Sequence, residues 1–416
     1  MSVPFLERKI KLKKSNLFIV LLLINFAFLL GCGKNNNSNN GTVNNKISKA
    51  TKSNNNNSIQ IKLDSMTLDE KIGQLFIVGF DGYEVNENIE SLIKENHVGG
   101  VILFSHNIEN AHQLMNLTNS LKTINLHNKT PLFISVDEEG GRVSRMPKEL
   151  KKLPSNKIIG EINNSNLSYN IGKIISKELT SLGFNMNFAP VLDINSNPQN
   201  PVIGDRSFGN NIDLVTRLGV KTMEGLRDGN IIPVVKHFPG HGDTSVDSHV
   251  GLPLINHDMK RLNEFELIPF KEAINNNADV IMISHILLPK IDSSYPATMS
   301  KIIIKDVLRN DLKFNGVVIT DDMTMGAITK NFDISNAAIK SINAGTDIIL
   351  ICHGYDNEIY VINSIKEAVE NNIITEDKIN ESVYRILKLK EKYKISNDTV
   401  DNIDVDKINS EIKSIF

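Results

Sequence analysis

Tryptophan is absent from the 416 residues, and cysteine occurs only at Cys32 and Cys352. Two cysteines exclude a disulfide scaffold, so the fold must rest on a packed core. With no indole available, stacking against a ligand falls to phenylalanine or tyrosine. Charge of one sign is not in excess: 46 Lys and Arg against 48 Asp and Glu give a formal net charge of -2. No Lys/Arg stripe with interleaved aromatics occurs, which sets nucleic acid aside as a partner. The apolar run Leu17 to Leu30 falls short of the ~20 residues of a membrane-spanning helix. What is present is ordinary: a hydrophobic content of 40% suffices, at this length, for one large core or two smaller ones.

The N-terminus reads as a targeting segment. Arg8, Lys9, Lys11, Lys13 and Lys14 precede the apolar run, which ends in Leu29-Leu30-Gly31-Cys32. This order resembles the lipobox of bacterial lipoproteins, in which a signal (residues 1–31) is cut before a cysteine that becomes lipidated. Cys32 is then the lipid anchor, and Cys352 is left without a disulfide partner. Residues 32–58 are rich in Asn, Ser and Lys with little to bury, and are expected to form a flexible tether. The expected product is an extracytoplasmic domain, residues 59–416, anchored to the bacterial cell membrane.

From Ile59 onward, strand-like apolar runs alternate with amphipathic stretches of helical period. The strand candidates are Leu75–Phe80, Gly100–Phe104, Leu132–Val136, Asn187–Leu192, Ile231–Val235, Val280–Ser284, Val317–Thr320 and Asp347–Ile351. Between them, Ile171, Ile174, Ile175, Leu179 and Leu182 line one helical face before Gly183, and Ser300 is placed to cap a helix bearing Ile303, Ile304, Val307 and Leu308. Eight such units predict an α/β fold, a (β/α)8 TIM barrel, with an open doubly wound sheet as the alternative. Helical stretches over Glu358–Glu370 and Glu376–Tyr393 follow, then a polar tail. The barrel predicts chemistry at the C-terminal ends of its strands, where Asp137, Asp193, Lys236-His237, His285, Asp321-Asp322 and His353 fall.

The densest cluster is VVKHFPGHGDTSVDSH, residues 234–249. Pro239, Gly240 and Gly242 rule out a regular helix, so His241, Asp243, Asp247 and His249 lie on a loop. In an extended segment Asp247 and His249 point the same way. The carboxylate then orients the imidazole and raises its proton affinity, which makes His249 a candidate general acid/base. Zinc ligation by His237, His241, Asp243 and His249 is the alternative, though the Pro-Gly within HFPGH breaks the helix that an i, i+4 pair requires. Asp321, ending the strand of NGVVITDD, suits a nucleophile, a metal ligand or a hydrogen-bond acceptor. In SVDEEGGRVSRM, Gly140-Gly141 turns sharply and sets Arg142 and Arg145 behind Asp137, a combination suited to a polyhydroxylated ligand. Asp205-Arg206 reads similarly.

SVDEEGGRVSRM, NFAPVLDIN with IGDRSFG, VVKHFPGHGDTSVDSH and VVITDDMTMGAI, in this order, resemble the signature blocks of glycoside hydrolase family 3, in its bacterial β-N-acetylglucosaminidase branch. The resemblance covers about Ser65 to Lys390. It implies that Asp321 is the nucleophile of a covalent glycosyl-enzyme and that His249, assisted by Asp247, is the acid/base. It also implies that Asp137, Arg145, Arg206, Lys236 and His237 hold the sugar. The implied reaction is retaining removal of terminal β-linked N-acetylglucosamine with no metal or cofactor, on glycans or muropeptides. Because His249 is neutral after donating its proton, phosphorolysis is the neighbouring alternative. A sugar-binding lipoprotein without turnover is the non-enzymatic one.

Overall fold

The computed structural model describes residues 57–415. The expected signal peptide, Cys32 and most of the expected tether lie outside the described residues. Helical turns over 57–64 overlap the end of the expected tether and bury Ile59 and Leu63.

Eight strands follow: β1 (Phe76–Val78), β2 (Gly100–Leu103), β3 (Phe133–Val136), β4 (Met186–Asn187), β5 (Ile232–Phe238), β6 (Val280–Ile283), β7 (Val317–Thr320) and β8 (Ile349–Ile351). Each lies parallel to its successor, and β1 also pairs with β8. A bridge between Ile319 and Ile348 brings β7 to β8 and completes the ring. The (β/α)8 barrel expected from the sequence is therefore the one formed. β4 departs most from its predicted span, Asn187–Leu192: its ladder covers two residues, and the pairing with β5 resumes only in an isolated bridge between Val191 and Lys236.

Strand alternation decides which side chains enter the barrel. Ile232 and Val234 of β5, Val280 and Met282 of β6, Val317 and Ile319 of β7, and Leu350 of β8 meet in one interior cluster with Ile77 and Ile102. Their neighbours of opposite parity, such as Val101, Ile134 and Ile349, pack outward with residues of the surrounding helices. Continuing the inward parity toward the C-terminal mouth gives Lys236 within β5 and, just past the ends of β2, β3, β7 and β8, Phe104, Asp137, Asp321 and Cys352. All five line the cavity at the mouth.

The opposite end is plugged by the helix Glu376–Lys392, whose Ile386 and Leu389, with Tyr393, join the interior cluster. Lys390 from this helix is buried and donates to Gln74 Oε1 at 2.8 Å and to the carbonyls of Gly99 at 3.0 Å and Pro131 at 2.7 Å. The segment read as a polar tail contains a further helix, Val405–Ile415. Its single stripe of Ile408 and Ile412 is buried, while Asn409 binds the Glu149 carbonyl.

The helices Ser165–Ser181 and Ile212–Asp228 approach closely through glycines. A Cβ on Gly172 would lie 2.4 Å from the Thr222 carbonyl oxygen, and one on Gly225 would lie 2.2 Å from that of Tyr169. These glycines set the spacing of the two helices. Gly172→Ala is expected to destabilise the fold by about 1–3 kcal/mol through overpacking, seen as a lower urea midpoint with an unchanged slope.

Candidate active site

A cavity of about 330 Å³ opens at the C-terminal end of the barrel. Asp137, Arg145, Arg206, Lys236, His237, His249 and Asp321 all line it, brought together from β5 and the segments that follow β3, β4, β5 and β7. Asp247 stands behind His249. Its floor is apolar, made by Ile102, Phe188, Met282 and Leu350.

One wall is a network of buried charges. The Lys236 ammonium contacts Asp137 at 2.6 Å and Glu139 at 2.7 Å, and Arg206 grips Glu139 with Nε at 2.9 Å and Nη2 at 2.7 Å. Burial alone would drive Lys236 toward its neutral form, but the two carboxylates hold its proton affinity above the ordinary value. Burial likewise works against the charge of Glu139, and Arg206 and Lys236 overcome it, keeping this acid ionised. Arg206 Nη2 also lies 3.3 Å from His237 Nε2. His237 leaves the strict strand alternation because the β5–β6 register shifts between Val235 and Phe238, which turns its ring toward the cavity. Behind it, Nδ1 meets Asp193 Oδ2 at 2.6 Å. Glu139 counters two buried cations, so Glu139→Gln is expected to lower stability by roughly 3–5 kcal/mol, measurable by chemical denaturation.

Asp321 directly follows β7, and its Oδ1 accepts the Asp322 N–H at 2.9 Å. Burial would raise its proton affinity, yet His237, His285 and this N–H hold the carboxyl below its usual range, so it is ionised at neutral pH. His285 is fixed from both sides, with Nδ1 2.6 Å from Thr298 Oγ1 and Nε2 2.9 Å from the Asp322 carbonyl oxygen.

Asp247 and His249 lie on the loop after β5. The segment is a turn and not the extended stretch expected: the N–H groups of Val250 and Gly251 both return to the Asp247 carbonyl, at 2.9 and 3.0 Å. The dyad forms nevertheless, because Asp247 Oδ1 accepts the His249 backbone N–H at 2.8 Å and lies 2.8 Å from His249 Nδ1. This leaves Nε2 directed away from the acid on a ring that is 66% exposed. Burial acts to raise Asp247, but the His249 N–H and ring hold it below the ordinary carboxylate range. The loop is pinned from beneath by His241, with Nδ1 2.7 Å from Thr244 Oγ1 and Nε2 3.3 Å from Ser248 Oγ, and by the Ala327 N–H on the Ser248 carbonyl at 2.9 Å. The His241 and His237 ring nitrogens are thus engaged, and among the described residues no group of three or more His, Cys, Asp and Glu is arranged to hold a metal ion.

Residues 67–389 match the model of the glycosyl hydrolase family 3 N-terminal domain. The chain belongs to family 3 of the glycosyl hydrolases. Its relatives within the family include bacterial β-hexosaminidases. That of Pseudoalteromonas piscicida, β-hexosaminidase A, is 38% identical over 328 residues, covering 73% of this chain and 55% of that protein. That of Methylobacillus flagellatus is 34% identical, covering 70% of this chain and 83% of its own length. This chain therefore spans about half of the first relative and most of the second. The solved family 3 β-N-acetylglucosaminidase of Paenibacillus sp. FPU-7 superposes with a TM-score of 0.80 at 40% identity, covering 84% of this chain and 68% of that one.

The family 3 site also contains residues that sequence reasoning assigned otherwise or passed over. Arg142 is not behind Asp137. It pairs with Asp205 at 2.7 Å and donates to the Val202 and Ile203 carbonyls, so only Arg145 of the two reaches the cavity. Asp137 meets Lys236 instead of an arginine. Glu139, the shared counter-ion, stands among three consecutive acids, with no local signal to single it out. Asp193 was visible as a strand-end acid, and its purpose is to hold His237 and, at 2.6 Å, the His241 backbone N–H.

Proposed function

We propose that this family 3 enzyme is a retaining exo-β-N-acetylglucosaminidase. The observation that carries the reading is one cavity holding an ionised strand-end carboxylate, Asp321, together with a histidine backed by an aspartate on a loop above the barrel. The names of the relatives support the choice of an N-acetylated hexosamine. Asp137, Arg145, Arg206, Lys236 and His237 hold the terminal sugar by its hydroxyl and carbonyl oxygens.

Asp321 attacks the anomeric carbon as protonated His249 gives its proton to the departing glycosidic oxygen. Asp247 keeps the ring oriented and stabilises its positive charge. In the second half, neutral His249 removes a proton from water, which attacks the glycosyl ester and frees Asp321. Electrons and protons return to their starting places. Release of 4-nitrophenol from its β-N-acetylglucosaminide tests this reading, since bound sugar without turnover identifies a binding protein instead. Addition of phosphate separates hydrolysis from phosphorolysis, the latter giving the sugar 1-phosphate; the neutral state of His249 after proton donation is what would admit an anionic acceptor.

The N-terminal sequence supports a lipoprotein anchored at the outer face of the cell membrane through Cys32, acting on muropeptides. Labelling with radioactive palmitate, abolished by Cys32→Ser, tests the anchor. Loss of N-acetylglucosamine from purified muropeptides tests the substrate.

A further inference from the structure

Three consecutive carbonyls of the loop that carries His249, those of Ser248, His249 and Val250, face one short stretch of the chain beyond β7. The Ser248 carbonyl accepts the Ala327 N–H at 2.9 Å, and the Val250 carbonyl accepts the Lys330 ammonium at 2.8 Å. Between them stands Gly326. A Cβ at this position would lie 2.5 Å from the His249 carbonyl oxygen and 3.2 Å from that of Val250, well inside ordinary van der Waals contact. The φ of Gly326 lies outside the left-handed region, so its own backbone does not call for glycine. The approach of the loop does.

The stretch that receives the loop is stiff and begins at Asp321. The Asp322 carboxylate accepts the Thr324 N–H at 2.9 Å, the Thr324 hydroxyl at 2.6 Å and the Cys352 N–H at 3.0 Å, while the Met323 N–H donates to the Leu350 carbonyl at 2.9 Å. These bonds fasten it to β8 and the residue that follows. Gly326 opens the helical turn Gly326–Thr329 and is buried, as are Met323, Met325 and Ala327. His249 has no comparable hold of its own: its ring is exposed, and its hydrogen bonds to Asp247 stay within the loop. The contact from beneath, His241 Nε2 to Ser248 Oγ, is long at 3.3 Å.

We propose that residues 322–327 form the seat of the acid/base loop and that Gly326 is a positioning residue, its missing Cβ setting how closely the His249 ring approaches the bond being cleaved. The proposal rests on the reading of His249 as acid/base. An added methyl group forces the His249 carbonyl outward, and a misplacement of about 1 Å in a catalytic group costs on the order of 10²-fold. The nucleophile keeps its place, because the Asp321 N–H donates to the Ile283 carbonyl at 2.9 Å.

The test compares two leaving groups in wild type, Gly326→Ala and Lys330→Met. The departing sugar of N,N′-diacetylchitobiose needs a proton donor; 4-nitrophenolate does not. In Gly326→Ala, kcat/KM for the disaccharide is expected to fall about 10- to 100-fold and that for the 4-nitrophenyl glycoside less than about twofold, with azide raising the aryl kcat. Lys330→Met removes one surface tether and leaves the glycine, and should show the same split at about two- to fivefold. A general disturbance of the barrel would lower both substrates alike. Equal losses, or no loss, in Gly326→Ala therefore overturn the proposal; if that variant does not fold, absence of the split in Lys330→Met overturns it. A His249→Ala control with no dependence on leaving group refutes the acid/base reading instead, and hydrogen exchange then decides the seat. The Ala327 amide should exchange at least about tenfold faster in Gly326→Ala than in wild type, and unchanged exchange overturns it.

Discussion

Asp321→Asn is expected to retain less than about one part in 10⁴ of wild-type turnover while still binding N-acetylglucosamine. The reasons begin with the strand. Val317 and Ile319 face the barrel interior, so the next residue of the same parity is delivered to the cavity whatever the loop beyond it does. The carboxylate oxygen that accepts the Asp322 N–H is retained in asparagine, and the side-chain volume is nearly unchanged, so the fold should tolerate the substitution. What is lost is the negative charge that, in the proposed mechanism, bonds to the anomeric carbon. Steady-state kinetics with the 4-nitrophenyl glycoside should show the loss in kcat with little change in KM. An equal loss of sugar affinity would instead place Asp321 among the binding groups.

The second large effect is expected at His249. Its ring is 66% exposed and bonds only to its own loop, so His249→Ala should change stability by no more than about 0.5 kcal/mol. Turnover of natural glycosides should fall by roughly 10²- to 10⁴-fold, the usual contribution of a positioned proton donor. A 4-nitrophenolate leaves without help, so cleavage of the aryl glycoside should be affected least, and a pre-steady-state burst should appear as release of the sugar becomes limiting. Azide, which attacks without base assistance, should restore that second step and give the β-glycosyl azide. Asp247→Asn leaves the ring present but removes the charge behind it, and should produce the same pattern more weakly. Uniform loss across leaving groups, with no azide effect, would remove His249 from the acid/base role.

Most of this architecture was legible because two periods recur in the sequence. Eight apolar runs recurred, six of them leading into polar residues, and the helical stripe Ile171, Ile174, Ile175, Leu179 and Leu182 occupies the buried face foreseen for it. The inward parity of Val234 also extends to Lys236, which explains why a lysine continues an apolar strand. Other features depend on contacts no local pattern encodes. Arg142 and Arg145 have the same chemistry three residues apart, and only the turn at Gly140-Gly141, with positive φ of 81° and 60°, decides which one enters the cavity. Glu139 acquires its role from Lys236 and Arg206, both distant in sequence. The C-terminal helix was hidden because two buried isoleucines among polar residues make a weak stripe.

Peptide mapping after rapid quench with an activated 5-fluoro-N-acetylglucosaminyl donor tests the central claim most directly, because the fluorine slows release of the glycosyl-enzyme more than its formation. One N-acetylhexosaminyl group bound through an ester to Asp321 is the predicted result. An adduct on another carboxylate, or full turnover of the donor with no adduct formed, would contradict it.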